Sequence, residues 1–186
     1  MIKKGTAKKL IILDRDGVIN YDSDNYIKSP EEWIPIEGSL EAIARLNELG
    51  FIVAIATNQS GIARGFYNRD GLEAMHTKMR KLLKAVGGKI DYISYCPHGP
   101  DEGCACRKPK SGMLLEISKH FSIEPEKATF VGDGRGDIQA AESANMAFVL
   151  VKTGKGKRTL AAEATNEKKP NYAVYGSLQD FVNMIH

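Results

Sequence analysis

Residues Leu10–Gly17 read LIILDRDG, and this stretch decides the fold. Its first four residues are apolar, which is typical of a strand that is buried on both faces of a parallel sheet. We expect this strand, Leu10–Asp14, to end where the charged residues begin. Further apolar runs of strand length follow along the chain, with helical stretches between them. This alternation predicts an α/β fold in three layers, with a central, mainly parallel sheet.

The other predicted elements extend outward from this first strand. Strands are predicted at Phe51–Thr57, Ile90–Tyr95, Ala128–Gly132, Ala147–Val151 and Tyr172–Tyr175. Helices are predicted at Ser39–Leu49, Arg69–Ala85, Gly112–Phe121, Asp137–Ala144 and Leu178–Ile185, and polar loops at Lys152–Arg158 and Asn166–Lys169. The carboxyl ends of parallel strands share one edge of a sheet, where ligands bind. Polar residues at the ends of different strands, such as Asp14, Thr57 and Asp133, should therefore meet there.

Length and charge limit the possible functions. The chain has 186 residues, of which 42% are hydrophobic, and this is enough apolar material for one domain spanning residues 1–186. The formal net charge is only +3 with the two signs mixed, which gives no electrostatic case for nucleic acid. No apolar run approaches the roughly 20 residues of a transmembrane helix, and the run after the basic N-terminus is too short for a secretory signal. We expect a cytoplasmic monomer with no membrane partner.

Two pairs of acidic residues follow predicted strands. Asp14 and Asp16 are two positions apart, so both can face one site, where one acid can serve as nucleophile and the other as general acid and base. The sequence GDGRGD, residues 132–137, adds Asp133 and Asp137. Converging carboxylates repel each other unless a cation lies among them, and Mg²⁺ with its oxygen ligands fits best. A dinucleotide site is the alternative for this glycine-rich turn, but the spacing G-x-G-x-G differs from G-x-G-x-x-G.

Neutral donors and one cation complete the predicted site. Thr57, Asn58, Gln59 and Ser60 follow the second strand and offer hydroxyl, amide and backbone N–H groups, which suit phosphate oxygens. Lys108 precedes the Gly112–Phe121 helix and can neutralise phosphate charge. Together these segments supply a nucleophile, an acid, metal ligands and phosphate donors, which predicts phosphoryl-transfer chemistry.

All three cysteines fall within eleven residues. Cys96, His98, Cys104 and Cys106 have the spacing C-x-H-x5-C-x-C, a set that satisfies tetrahedral zinc. The loop 96–106 contains little apolar material, so a structural Zn²⁺ should order it and thereby place Arg107 and Lys108. The remaining histidines, His76, His120 and His186, are expected at the surface, and Trp33 is expected to pack in the core.

The motifs DRDGVIN, TNQSGIARG, CPH, CxCRKP and GMLL carry a resemblance to a known family. The chain resembles the haloacid dehalogenase (HAD) superfamily of phosphatases, whose four motifs match Asp14 and Asp16, Thr57, Lys108, and Asp133 with Asp137. The resemblance implies a Rossmann-like HAD fold. Within the superfamily the chain is most similar to the phosphatases of D-glycero-D-manno-heptose 1,7-bisphosphate. Histidinol-phosphate phosphatase is the alternative enzyme, and a non-catalytic module that binds zinc and phosphate is the alternative of another class.

The resemblance also implies roles for individual residues. Asp14 would take the phosphoryl group, and Asp16 would protonate the departing oxygen and later activate water. Mg²⁺ would be held by the Asp14 carboxylate, the main-chain carbonyl of Asp16 and Asp133, with Asp137 outside this set of ligands. Thr57 and Lys108 would neutralise charge, and the residues that contact the substrate would be Asp22, Asn58, Gln59, Ser60 and Arg107.

Two further expectations follow from the resemblance. Relatives often carry a basic residue directly after the Asp133 position, whereas Gly134 stands here. Either Arg135 replaces that residue or the contact is missing. The chain has no insertion long enough for a separate cap domain, so short loops should select a small sugar phosphate. The implied setting is the synthesis of nucleotide-activated heptose for bacterial surface polysaccharide.

Overall fold

A six-stranded parallel sheet forms the centre of the molecule. The computed structural model describes residues 9–164 and 171–185. The strands are β1 (Lys9–Leu13), β2 (Phe51–Asn58), β3 (Tyr92–Cys96), β4 (Ala128–Gly132), β5 (Ala147–Val151) and β6 (Ala173–Tyr175). Their order is β3-β2-β1-β4-β5-β6, and every neighbouring pair is parallel. The predicted α/β fold with a parallel central sheet is confirmed.

Helices cover both faces of the sheet. They are α1 (Ser39–Glu48), α2 (Arg69–Ala85), α3 (Gly112–Phe121), α4 (Arg135–Ser143), α5 (Gly156–Glu163) and α6 (Leu178–Asn183), with a short 3₁₀ helix at Pro125–Lys127. Side-chain caps fix two of the helix starts. The Asn68 carboxamide oxygen accepts from the Gly71 N–H at 2.9 Å, and the Ser177 hydroxyl accepts from the Asp180 N–H at 3.1 Å.

Alternation along the strands divides the core into two layers. Ile11 and Leu13 in β1 pack with the apolar residues of α1, α2 and α6. Leu10 and Ile12, their neighbours in sequence, pack with those of α3 and α4 on the opposite face. All four side chains are at most 2% exposed, and burying each of them contributes about 1.5–3 kcal/mol. The three-layer architecture therefore follows from a strand that is apolar at every position.

The order of the strands reverses between β1 and β4. From β1 the chain proceeds outward through β2 and β3, and from β4 it proceeds in the other direction through β5 and β6. In such sheets the ligand crevice lies beyond the carboxyl ends of the two central strands. Asp14 directly follows β1, and its N–H donates to the Val131 carbonyl of β4 at 2.9 Å. The fold thus brings the ends of two strands that are distant in sequence into direct contact.

Several local expectations differ from the structure. The segment Lys152–Arg158 is not all loop, because α5 begins at Gly156. Only Gly156 and Thr159 are buried in this helix, so the sequence carries no apolar stripe that would have revealed it. The predicted loop Asn166–Lys169 lies outside the described residues.

The prediction for His76 is wrong. Its side chain belongs to α2 and is buried, at 2% exposed, whereas His120 is exposed as expected and His186 lies outside the described residues. Trp33 is fully buried in the core, as predicted. His76 follows Leu72 by four positions and precedes Met79 by three, so helical geometry places it on the apolar stripe.

No added domain covers the carboxyl edge of the sheet in the part of the chain that the structure describes. Residues 14–38 contribute only two isolated bridges, Asp16 with Asn20 and Asn20 with Pro35, and residues 59–68 form turns.

No described helix is long and apolar enough to cross a membrane.

Candidate active site

A cavity of about 340 Å³ opens at the carboxyl ends of β1 and β4. Its wall is strongly charged. The acidic residues that line it are Asp14, Asp16, Asp22, Asp24, Asp133 and Asp137, and the basic ones are Arg15, Arg107, Lys108 and Lys155. Acidic side chains outnumber basic ones, so the cavity can hold a cation together with an anionic ligand.

A buried lysine links two of the carboxylates. Lys108 is 5% exposed, and its Nζ lies 2.9 Å from Asp14 Oδ1 and 2.7 Å from Asp137 Oδ1. Burial alone would lower the pKa of Lys108, but the charges of Asp137 and Asp14 raise it above its usual range. The ammonium group is therefore permanently charged at the floor of the cavity.

The backbone of Lys108 is held from the sheet. The Asn58 side chain at the end of β2 accepts from the Lys108 N–H at 3.1 Å and donates to the Lys108 carbonyl at 3.0 Å. The ammonium group also donates to the Ala56 carbonyl at 2.9 Å. Lys108 is thus fixed by β2 at both its main chain and its side chain.

Asp133 meets Asp14 across the junction of β4 and β1. Its Oδ2 accepts from the Lys155 N–H at 2.6 Å, and its carbonyl accepts from the Thr159 hydroxyl at 2.8 Å. Gly17 allows this approach, because its φ is +86° and a Cβ at that position would collide with the Asp133 carboxylate.

Three carboxylates form a group suited to a hard cation. One oxygen each from Asp14, Asp133 and Asp137 lies within 4.8 Å of the others. Burial raises the pKa of Asp14 to about 7, and burial together with the charge of Asp14 raises that of Asp133 to about 8. A divalent cation would relieve this repulsion and let both groups ionise, so the donor set fits Mg²⁺.

Asp137 serves mainly to hold its neighbours in place. Besides the Lys108 contact, its Oδ2 accepts from the N–H groups of Asp133 and Gly134, at 3.2 and 2.9 Å. These bonds use lone pairs on both carboxylate oxygens. The arrangement fits the predicted position of Asp137 outside the ligands of the cation.

Asp16 belongs to a separate hydrogen-bond network. Arg15 Nη2 lies 3.0 Å from both of its carboxylate oxygens, and the side-chain amides of Asn20 and Gln59 each donate to it at 2.9 Å. Burial alone would raise the pKa of Asp16, but the Arg15 charge and these hydrogen bonds hold it below its usual range. Asp16 therefore rests as a carboxylate at the cavity wall.

The other predicted contact residues are placed differently from one another. Ser60, Gln59 and Asn58 line the cavity, as do Asp22 and Arg107. Thr57 does not belong to the lining among the described residues. It is 1% exposed, and its hydroxyl accepts from the Gln59 amide at 2.9 Å.

The structure also resolves the alternative at Gly134. Gly134 lines the cavity. Arg135 is 69% exposed, and its Nε faces Glu163 Oε1 at 3.6 Å. In the described part of the chain Arg135 is not among the lining residues, which favours the interpretation that this contact is missing.

The cysteine loop forms a second group of metal-binding side chains. One ligand atom from each of Cys96, His98, Cys104 and Cys106 lies within 4.8 Å of the others. The sulfur of Cys96 is 3.6 Å from that of Cys104 and 3.1 Å from that of Cys106, and His98 Nδ1 is 3.3 Å from the Cys106 sulfur. Ligands at about 2.3 Å from one tetrahedral zinc would lie about 3.8 Å apart, so the set fits Zn²⁺.

The thiols of this loop differ in acidity. Burial raises the pKa of Cys96 to about 12. Burial opposes ionisation of Cys104 as well, but the backbone N–H of Arg107 and the neighbouring thiols lower its pKa to about 7. Cys104 therefore ionises most readily, whereas Cys96 needs a bound metal to ionise at neutral pH.

Four residues of the site were not found from the sequence. Arg15, Asn20 and Tyr67 take part in the Asp16 network, and Lys155 pairs with Asp22 at 3.0 Å. The position of Arg15 between two acids was a usable signal, as was the basic run around Lys155. No sequence pattern identified Asn20 or Tyr67.

The fold and the site together define a class. A parallel sheet with an aspartate after β1, a second aspartate two positions on, a lysine bridging the first aspartate and acids after β4 are the features of a HAD-type phosphatase. A family model described as HAD-hydrolase-like matches residues 105–181. The protein is therefore a phosphoric monoester hydrolase of the HAD superfamily.

Comparison with individual proteins narrows the family. The chain is 62% identical over 152 residues to D-glycero-beta-D-manno-heptose-1,7-bisphosphate 7-phosphatase of Pseudomonas putida, covering 82% of this chain and 87% of that protein. It is 46% identical to the enzyme of that name from Neisseria meningitidis, and the match covers 95% of this chain and 94% of that enzyme. The crystal structure of D,D-heptose 1,7-bisphosphate phosphatase from B. bronchiseptica, complexed with magnesium and phosphate, matches with a TM-score of 0.90 at 47% identity, covering 94% and 96%. The chain belongs to this heptose-bisphosphate phosphatase family.

Proposed function

We propose that the protein hydrolyses the 7-phosphate of D-glycero-β-D-manno-heptose 1,7-bisphosphate, with Mg²⁺ and through an aspartyl-phosphate. The observation that carries the proposal is the junction of β1 and β4, where Asp14, Lys108 and Asp133 meet. High identity to relatives named for the β anomer supports the choice of substrate. The product would enter the synthesis of nucleotide-activated heptose for surface polysaccharide. Cysteines at metal-ligand spacing, with no disulfide framework, are typical of proteins from a reducing compartment, so we place the reaction in the cytoplasm.

Asp14 is the proposed nucleophile. Its Oδ1 accepts from the Lys108 ammonium and from the Arg15 N–H at 2.7 Å, while no described residue donates to its Oδ2. Oδ2 is thus available to attack phosphorus. The bond from phosphorus to the sugar oxygen breaks. Because Asp16 rests as a carboxylate, it first takes a proton from the substrate phosphate, which binds as the monoanion, and then passes that proton to the departing oxygen. In the second half of the reaction Asp16 takes a proton from the water that hydrolyses the aspartyl-phosphate.

Charge neutralisation carries much of the rate in phosphoryl transfer. Mg²⁺ would be held by the Asp14 and Asp133 carboxylates and the Asp16 carbonyl, and it would supply positive charge to the phosphoryl oxygens. Lys108 provides a second, fixed charge. Because Asp137 and Asn58 hold Lys108 in place, this charge is in position before the substrate binds.

The second phosphate of the substrate needs a cation of its own. Arg15 and Lys108 are 1% and 5% exposed and already paired with acids. The two remaining cations of the wall, Arg107 and Lys155, are more exposed. We assign the distal phosphate to these two, with Asp22 holding Lys155 in the free protein.

The cysteine loop has a structural role in this proposal. With four protein ligands, Zn²⁺ has no open position for water or substrate. A bound Zn²⁺ would order the chain between Cys96 and Cys106, and Arg107 follows the last ligand directly. The loop thereby forms part of the substrate-selecting rim.

Phosphate release is the direct test of this function. The purified protein with Mg²⁺ is given the β and α anomers of the heptose bisphosphate and, separately, histidinol phosphate. We expect kcat/KM to be highest for the β anomer and release to stop when EDTA removes Mg²⁺. Preference for histidinol phosphate would overturn the substrate assignment, and no release from any substrate would favour a non-catalytic binding module.

The rim assignment is tested with Lys155→Gln. We expect KM for the bisphosphate to rise about tenfold, because one charge-assisted contact is lost. Turnover of a sugar monophosphate should be unchanged within about twofold, since it has no distal phosphate. Lys157→Gln, which changes an exposed lysine two positions on, is the matched control. Equal losses on both substrates would contradict the assignment.

A further inference from the structure

Arg15 is a buried charge that phosphoryl transfer, as described above, does not use. Its side chain is 1% exposed, although it follows the nucleophile directly and lines the cavity. A buried guanidinium is costly unless it is paired and hydrogen-bonded. Arg15 is paired with Asp16: Nε and Nη2 lie 3.2 and 3.0 Å from Oδ1, and Nη2 also lies 3.0 Å from Oδ2. The partner of this buried charge is thus the proposed proton donor.

Gln59 contacts both members of the pair formed by Arg15 and Asp16. Its Nε2 donates to Asp16 Oδ2 at 2.9 Å, and its Oε1 accepts from Arg15 Nη2 at 3.1 Å. Three side chains therefore form a closed ring of hydrogen bonds. Gln59 is 2% exposed, so neither of these bonds competes freely with water.

Two further bonds fix the orientation of the Gln59 amide. The Tyr67 hydroxyl donates to Oε1 at 2.6 Å, and Nε2 also donates to the Thr57 hydroxyl at 2.9 Å. The amide oxygen thus faces two donors, and the amide nitrogen faces two acceptors. A flipped amide would place its NH₂ group against the Arg15 guanidinium and its oxygen against the Asp16 carboxylate, so these two partners fix one orientation.

Close packing keeps Tyr67 in place. Gly61 lies directly against the Tyr67 ring, and a Cβ at this position would collide with it. Burial raises the pKa of Tyr67 to about 12, so its hydroxyl remains a donor at any physiological pH. The network therefore extends from the turn after β2 to the carboxylate of Asp16.

Asp16 is the member of this network that remains open to the cavity. Its side chain is 21% exposed, against 1% for Arg15. The planar fork of Arg15 and the fixed amide of Gln59 together define the plane of the carboxylate. Without them only the Asn20 amide, which donates to Oδ1 at 2.9 Å, would hold the short side chain. In a proton transfer, a misplacement of about 1 Å can cost about 100-fold in rate.

We propose that Arg15 and Gln59 are positioning residues that aim the Asp16 carboxyl at the oxygen of the departing sugar. This inference rests on the proposed role of Asp16 as acid and base. Asp16 passes the proton that it took from the substrate phosphate to the departing oxygen as the phosphorus–oxygen bond breaks, and it takes one from the attacking water in the second step. Arg15, Gln59 and Tyr67 exchange no proton and touch no reacting atom.

The leaving group distinguishes positioning of the acid from general support of the fold. Heptose departs as a poor leaving group that needs a proton, whereas p-nitrophenol departs from p-nitrophenyl phosphate as a stable anion. We measure kcat/KM, which reports the step that forms the aspartyl-phosphate, with both substrates. A variant that misplaces the acid should lose activity mainly on the sugar substrate.

Two variants of graded severity carry the test. Arg15→Lys keeps the charge but loses the fork, and we expect kcat/KM to fall about 30- to 100-fold on the heptose bisphosphate and less than about threefold on p-nitrophenyl phosphate. Tyr67→Phe removes one hydroxyl and keeps the ring, and we expect about a three- to tenfold loss with the same bias. If Arg15→Lys does not fold, as judged by circular dichroism, Tyr67→Phe decides the question.

Matched controls show what the same substitutions do elsewhere. Arg80→Lys changes an exposed arginine that pairs with Glu73 on α2, and Tyr92→Phe removes a hydroxyl that donates to Glu116 outside the cavity. Both should retain activity on both substrates within about twofold. A substrate bias in either control would overturn the inference, because the bias would then not be specific to the Asp16 network.

Asp16→Asn separates the two possible failures. If this variant shows no bias between the substrates, the proposed role of Asp16 is wrong and the inference falls with it. If Asp16→Asn shows the bias while Arg15→Lys and Tyr67→Phe lose activity equally on both substrates, or lose none, the positioning role alone is overturned. A bias in all three variants supports both the acid–base role of Asp16 and the positioning role of Arg15 and Gln59.

Discussion

The carboxylate group and the cysteine loop both collect metal-binding side chains, but the chain builds them in opposite ways. Asp14 and Asp133 follow β1 and β4, and they meet because those two strands are neighbours in the sheet. Of the four candidate zinc ligands, Cys96 ends β3, and the other three lie in the loop that follows, which has little apolar material of its own. The neighbouring strands bring the first group together, whereas most of the second group lies in one loop that a bound metal would hold in place.

Arg107 and Lys108 connect the cysteine loop to the carboxylate group. Lys108 is held by Asn58, Ala56 and two carboxylates, all outside the loop. Arg107 is tied to the loop, since its Nη1 donates to the His98 carbonyl at 3.2 Å. Disorder in the loop should therefore displace Arg107 and leave Lys108 in place, although the sequence suggested that both would move.

The largest effect is expected for Asp14→Asn. An amide cannot serve as the nucleophile, so kcat should fall by about 10³-fold or more. Thermal stability should be unchanged or slightly higher, because burial already raises the pKa of Asp14 to about 7 and a neutral side chain suits the site. Turnover and melting temperature check this, with exposed Asp70→Asn as control. Retained turnover would refute covalent catalysis at Asp14.

Asp137→Asn should affect both rate and stability. The change removes half of the charge pairing of Lys108, and we expect kcat to fall about 10- to 100-fold. Stability should fall by about 1–3 kcal/mol, because a buried ammonium loses a charged partner. Urea unfolding and turnover measure the two effects, with Glu142→Gln on the same helix as control. A stability equal to that of the unchanged protein would mean that Lys108 does not depend on Asp137.

Cys104→Ser tests the cysteine loop. We expect the bound zinc to fall well below one ion per chain and the melting temperature to drop, because the loop loses a ligand. Since Arg107 moves and Lys108 stays, KM should rise about tenfold while kcat changes less than about threefold. Metal analysis, calorimetry and kinetics check these points, with exposed Asp101→Asn in the same loop as control. An unchanged metal content would remove the zinc hypothesis, and a collapse of kcat would show that Lys108 depends on the loop after all.

The smallest effect is the loss of stability in acid that is due to His76. It must be known before any acid sensitivity is attributed to the carboxylate group or the cysteine loop. Burial, with the charges of Arg15 and Arg80, lowers the pKa of His76 to about 3 from an ordinary 6.5. Between these values the unfolded chain binds a proton that the folded chain does not, so stability falls as the pH falls. From pH 7 to pH 5 the loss should be about 2 kcal/mol.

His76→Gln should remove this share of the acid sensitivity. Urea unfolding at pH 7 and pH 5, with EDTA present, compares the two proteins. Whatever acid sensitivity remains in His76→Gln belongs to the rest of the molecule, including the carboxylates and the thiols. The same slope in both proteins would show that His76 is not buried in its neutral form.

The sequence was sufficient for the sheet and for the outline of the site, because both depend on local signals. Apolar runs such as Leu10–Leu13 identify strands, and parallel topology then brings their ends together. The cysteine spacing predicted a cluster for the same reason, and the structure brings those four side chains together. The roles of the individual site residues in the reaction remain predictions.

Long-range pairing accounts for what the sequence did not reveal. Arg15 is buried because Asp16 and Gln59, 44 positions away from Arg15, accept from Nε and Nη2 of its guanidinium. Nothing local distinguishes such an arginine from an exposed one. Helix α5 was missed because it buries only two residues, whereas His76 could have been found from its place on the apolar stripe of α2.

The peptide bond between Arg107 and Lys108 is a suitable boundary for exchanging the cysteine loop by protein engineering. Residues 97–107 belong to the cysteine loop, whereas Lys108 is anchored by β2 through Asn58 and Ala56. Loops of other lengths and compositions should therefore be exchangeable up to this bond without disturbing the chemistry. With exchanged loops, one hydrolytic core would accept differently shaped phosphate esters. Ligand preference could then be changed by replacing a single segment of the chain.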